Sequence, residues 1–144
     1  HPVRSPDTLM TDASRPDATQ TSNSRHNRRR ACHAYSSARY EAEGRALGLH
    51  LAAGDLGAAR ECCRHVVAFL RASLSPVPSH PLLALQRYTL ADLHAACNDN
   101  SAALEVMEEC AAGLAVSCAE GAKLRKEGAA RLAELRETQK ASYL

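Results

Sequence analysis

The chain has 144 residues, 45% of them hydrophobic and 24% charged, with a formal net charge of +2 at pH 7. That length allows one modest domain plus a tail, and the charge is too small to argue for nucleic acid along the whole chain. Aromatics supply only 3%, with Phe69 the single Phe and no Trp, so a core must come from Leu, Ala, Val and Cys, which favours close-packed helices over a sheet.

Charge is unevenly placed. Residues 1–39 carry seven Arg against three Asp, whereas residues 40–144 carry eleven basic and thirteen acidic side chains. Residues 1–33 are dominated by Ser, Thr, Asp, Asn, Pro and Arg. Too little apolar surface is available there to offset the entropy of ordering, so a disordered basic linker is expected. Its run His26-Asn27-Arg28-Arg29-Arg30 suits a nuclear-import signal, an anionic-surface contact or a plain solvated linker.

A helical domain is expected over residues 34–141. Tyr35, Ala38, Ala42, Ala46, Leu49 and Ala53 recur at helical steps and predict a first helix with its buried face along that line. Gly54 ends it, being suited to the left-handed conformation, and Asp55 is placed to cap the next helix. That second helix carries the stripe Ala59, Cys62, Cys63, Val66 and Leu70. The segment 75–81 holds three prolines, which stop it, and Pro81 suits the first turn of a third helix. Leu82, Leu85, Thr89, Leu93 and Ala96 are the expected face of the third helix, which ends at Asn98. Ser101 is the expected cap of the fourth, whose stripe is Ala103, Val106, Met107, Cys110 and Leu114. A fifth helix, from about Glu120 to about Lys140, has a narrow stripe of Leu124, Leu132 and Leu135 and a Glu127–Arg131 pair at i,i+4. It reads as a solvated cap on the stack.

Sliding the chain by 44 residues superimposes two of these units. Leu49, His50, Ala52, Asp55, Ala58, Ala59, Glu61, Ala68, Leu70 and Ser73 each meet the same residue type, ten identities over the 25 positions 49–73. Chance in an Ala-rich composition gives roughly two or three. The expected fold is therefore all-α, with tetratricopeptide-like antiparallel helix pairs and a C-terminal capping helix. Ala59 and Ala103 fall just after the turns, where two antiparallel helices cross closest.

Two kinds of chemistry suggest themselves on these helices. Cys62 with His65, and His94 with Cys97, are i,i+3 pairs that would together supply four zinc ligands. They belong to different units and lack short CxxC loops, so the thiols are expected to pack as small hydrophobes and no metal ligand is assigned. Cys63 and His65 are two apart on one helix and face different ways, with no orienting third group, so no nucleophile is assigned either. Phosphate-cradling loops, HExxH and GxGxxG are absent from the sequence. No catalytic or cofactor-binding residue is assigned, which leaves a helical groove for a protein or peptide partner. The six cysteines lack the spacing of a secreted scaffold, which argues for a reducing compartment, cytoplasmic and/or nuclear. No run approaches the roughly 18 apolar residues of a membrane span, and neither membrane nor nucleic acid is expected as a partner.

The segment His80-Pro81-Leu82-Leu83-Ala84-Leu85-Gln86-Arg87-Tyr88-Thr89-Leu90-Ala91-Asp92-Leu93 resembles the C-terminal helical region of the SET-and-MYND-domain protein lysine methyltransferases. The turn Asp55-Leu56-Gly57-Ala58-Ala59 and the helix start Ala102-Ala103-Leu104-Glu105 resemble the same region, so the likeness runs from about Leu47 to Leu114. It implies the trailing, noncatalytic part of a lysine methyltransferase, covering the substrate cleft beside the SET domain of the same parent chain or recruiting partners. The start at His1 rather than Met agrees with a fragment. Nothing matches the SET core, its Asn-His motif, the MYND module or the cysteine cluster after SET. S-adenosylmethionine and zinc are therefore expected only in parent domains outside this sequence. The alternative is a freestanding tetratricopeptide adaptor, similar to kinesin light chains in turn and repeat length, with no enzymatic parent.

Overall fold

The computed structural model describes residues 36–75, 77 and 79–143. These belong to one compact unit, Tyr35–Leu144. The expected linker over 1–33, its arginine run, Tyr35, Cys32, Pro76 and Pro78 lie outside the described residues. Within them the protein is all-α, with five helices and no strand: α1 (Ser37–Ala53), α2 (Leu56–Ser73), α3 (Pro81–Ala96), α4 (Asn100–Ser117) and α5 (Lys123–Ala141). Each helix packs chiefly on its neighbours in sequence, as short connections between helices dictate. None is long and apolar enough to cross a membrane.

The two tightest turns are built alike. Gly54 holds φ at 74° and Asn98 at 60°, both in the left-handed region. The next residue then donates its backbone N–H to a histidine carbonyl, Asp55 to His50 and Asp99 to His94, each at 2.9 Å. Those aspartates cap the following helices: Oδ1 of Asp55 accepts from Ala58 N at 3.0 Å, and Oδ1 of Asp99 from Ala102 N at 3.3 Å. The cap of α4 is thus Asp99, not the expected Ser101, which is exposed inside the first turn. A side-chain oxygen reaches a backbone N–H two or three residues ahead, and Asp99 has that position. At α3 the cap is His80, whose Nδ1 accepts from Leu82 N at 3.2 Å, with Pro81 following it.

Burial follows from which helices have neighbours on two sides. On α2 the buried line is Ala59, Cys63, Val66 and Leu70, with Cys62 half-buried at its edge. On α4 it is Ala103, Met107, Cys110, Gly113 and Leu114. Helix α3 lies between these two. Its buried face is Leu83, Ala84, Arg87, Leu90, Ala91 and Leu93, so of the expected face only Leu93 is buried, while Leu82 and Leu85 are exposed. Helix α1 buries no residue fully. It meets α2 along Tyr40, Glu43, Leu47 and His50 rather than the expected alanine line, and Leu49 is 72% exposed. Tyr40 sets that rotation by stacking on Phe69 with ring centroids 4.9 Å apart.

The core runs through the array in three clusters. Leu83 meets Val66 and Leu70. Ala59 and Cys63 meet Leu90 and Leu93, with Leu47 against them. The largest joins Ala84 and Ala91 to Ala103, Met107, Cys110, Leu114 and Leu135, with Leu124 and Leu132 at its margin. Helix α5 therefore closes the last apolar face through its three leucines. The Glu127–Arg131 pair does not form. Arg131 instead bonds Asp92 of α3 and Glu134, each at 2.8 Å, while Glu127 lies 3.6 Å from Lys123.

Candidate functional site

A groove of about 700 Å³ is walled by α2 and α4 over the surface of α3. Val67, Ala68, Leu90 and Val106 give it an apolar lining, and Arg64, Arg71, Arg87 and Glu109 give it charge. A second hollow of about 330 Å³ shares Arg71, Arg87 and Glu109 and continues past Gly113 to Val116. The two adjoin at these three charged residues, which line both. The walls follow from the helix periods: α2 and α4 each turn one face to the core and leave the next flank lining the groove.

Arg87 is the unusual side chain. It projects from the buried face of α3, four residues after Leu83 and three before Leu90, and it is only 7% exposed. Its Nη2 forms an ion pair with Glu109 Oε2, 2.9 Å away, while its Nε–H is buried without an acceptor among the described residues. Glu109 is half-exposed on α4. Arg64 is engaged by Glu61 at 2.8 Å. Arg71 has no ion-pair partner among the described residues and is exposed.

Of the cysteines and histidines that could carry chemistry, His65 lines the groove and none of the others does. Cys63 is buried, its thiol donating to Gln86 O at 3.6 Å, and burial pushes its pKa up to about 12. Cys110 donates to Ala84 O at 3.1 Å and is pushed up to about 11, again by burial. Both are therefore protonated packing groups at neutral pH. Cys62 and His65 both address Glu43 of α1, with the His65 Nδ1 to Glu43 Oε1 distance 3.1 Å. Burial raises the Cys62 thiol, and the hydrogen bond to the carboxylate raises it further. For Glu43 burial acts upward, but the bonds and charges of Cys62, His65 and Arg39 outweigh it and hold the carboxyl below its ordinary value. His94 turns to Asp99, with 3.2 Å between Nδ1 and Oδ2. No group of three or more metal-ligating side chains gathers among the described residues.

The groove charges were not expected from the sequence. One signal for them existed: Arg87 interrupts an otherwise apolar line of α3, and a charge placed there must find a partner or a ligand.

A scan against protein-family models, a search of curated proteins and a search of solved structures each returned no match.

Proposed function

We propose that the chain is a noncatalytic helical domain that binds an extended segment of a partner protein in the channel between α2 and α4. The observation that carries this reading is the pair of adjoining hollows, about 700 and 330 Å³, that share Arg71, Arg87 and Glu109, the larger with apolar walls. Such a channel offers side-chain pockets and fixed polar groups, the combination that peptide recognition uses. No thiol lines it and its one histidine, His65, is paired with Glu43, so the groove offers shape and charge and not a nucleophile. The matched turns at Gly54 and Asn98 support a tetratricopeptide-like arrangement of two units.

The test is display of random peptides against the isolated chain, with chemical-shift changes mapping where they bind. Selection of peptides that perturb Leu90, Val106 and their neighbours is expected. Failure to select any, or binding confined to the outer face of α1, would reject the groove.

For the parent protein, the His80–Leu93 resemblance favours a SET-and-MYND-type lysine methyltransferase of the cytoplasm or nucleus. In that setting these helices also adjoin the SET domain, and S-adenosylmethionine and zinc belong to the other domains. Coding sequence upstream of His1 decides this: an Asn-His SET motif in frame supports it, and a stop codon followed by a start codon leaves the freestanding adaptor. Calorimetric titration of this chain with S-adenosylmethionine is expected to show no binding.

A further inference from the structure

Resting on the groove reading above, we propose that the partner segment is acidic as well as apolar, with one carboxylate engaging Arg71 and another exchanging with Glu109 on Arg87. Two independent features of the channel point this way.

The first is charge. Arg64, Arg71 and Arg87 face the main groove against the single carboxylate of Glu109. Arg64 is held by Glu61 outside the groove, which leaves Arg71 the cation with no counter-charge among the described residues. Arg71 also lines the second hollow, so it stands where a segment passing from one to the other must cross. An approaching carboxylate meets there a cation with no counter-charge of its own to displace.

The second is the unfilled fork of Arg87. A guanidinium presents Nε–H and one Nη2–H along a common edge, matched to the two oxygens of a carboxylate. Here Glu109 pairs only with Nη2, 2.9 Å away, and Nε–H has no acceptor among the described residues although Arg87 is only 7% exposed. A carboxylate entering from the groove and taking both positions satisfies a donor that the unliganded chain leaves empty. Glu109, half-exposed, can then swing into solvent at little cost. The apolar walls of Val67, Leu90 and Val106 receive the residues between the acids. A basic or neutral segment would fill the same walls while leaving Arg71 and the Arg87 fork as they are.

The experiment uses the full chain and three labelled octapeptide pools with leucine or valine at alternate positions. Between those positions they carry glutamate, glutamine or lysine. The glutamate pool is expected to bind about tenfold or more tightly than the glutamine pool, with the lysine pool weakest, and the preference should fade as salt rises. Arg71→Glu lies on the surface and should keep the melting temperature while abolishing the preference. Glu109→Gln retains an acceptor for Arg87 yet removes the competing charge, so it should tighten the glutamate pool. Equal binding of the glutamate and glutamine pools, or a retained preference in Arg71→Glu, would overturn the carboxylate assignment and leave the peptide groove standing. Weaker binding by a folded Glu109→Gln overturns the exchange at Arg87. Binding by none of the pools counts against the groove itself, and displacement of the glutamate pool by an equal concentration of single-stranded oligonucleotide would overturn the choice of a protein partner.

Discussion

Asn98 holds the same left-handed backbone as Gly54, 44 positions earlier, and each hands the chain to an aspartate that caps the next helix. Glycine accepts that conformation freely and asparagine tolerates it, whereas most side chains pay about 1–2 kcal/mol there. Asn98→Gly is accordingly expected to leave stability unchanged or raise it slightly. Gly54→Ala and Asn98→Ala should each lower it by about 1–2 kcal/mol. Urea melts of the three variants, followed by circular dichroism at constant m-value, check the order. A neutral Asn98→Ala would mean that the turn relaxes to a right-handed form.

Ala59 and Ala103 are each 0% exposed and lie one turn into their helices. A larger side chain at either must separate two helix backbones. Ala103→Leu and Ala59→Leu should each cost about 1–3 kcal/mol by overpacking, despite the better transfer energy of leucine. Ala102→Leu, at the half-buried neighbouring position, should cost less. Thermal unfolding of the three decides it, and equal melting temperatures would show that no close crossing exists at these alanines.

Acid should act on the second turn through Asp99. The N–H of Ala102 bonded to its carboxylate, and then His94 beside it, hold its pKa below the ordinary value of 3.8. A depressed folded pKa means that the charge stabilises the fold above the ordinary value, and that this contribution is lost as pH falls through the lower folded value. Asp99→Asn keeps an oxygen for the cap and removes the charge. It should melt below the wild type at neutral pH, with the difference shrinking as pH falls below 3.8 and through the lower folded value. A difference that stays constant from pH 7 to pH 2 would place the effect elsewhere.

Thiol reactivity gives a fourth check. Cys63 and Cys110 are both 0% exposed, each bonded to a carbonyl and raised well above neutral pH. They should resist a disulfide reagent at pH 8 until the protein unfolds, while the half-buried Cys62, Cys97 and Cys118 react sooner. Mass-spectrometric mapping of labelled sites separates them. Early labelling of Cys110 would show that α4 and α3 part readily.

The sequence made some of this architecture legible and concealed the rest for a common reason. Helices α2 and α4 set charged residues such as Arg60 and Arg64, or Glu105 and Glu108, between their apolar positions, so their apolar stripes could be drawn directly from period and composition. On α3 the run Leu82, Leu83, Ala84 and Leu85 puts apolar side chains on every side, which blurs a one-sided pattern. Burial on that helix extends to Ala84, Ala91 and Arg87, while Leu82 and Leu85 stay exposed. On α1, alanines occur nearly all round and give no contrast, so the position of Tyr40 against Phe69 decides the rotation. The groove lay deeper still. Arg71 and Glu109 look like ordinary solvated charges on their own helices, and only the packing of α2 and α4 about α3 brings them beside Arg87.

Helix α1 contributes no fully buried side chain and leaves Leu49 and Leu51 facing outward. In an array held mainly by contacts between sequential neighbours, each helix is only as secure as the interfaces beside it. Amide exchange should therefore trace a gradient, fastest along Ser37–Ala53 and slowest in the middle of α3 and α4. The groove over α3 lies toward the slow-exchanging side of that gradient, so fraying of the first helix can proceed without dismantling it.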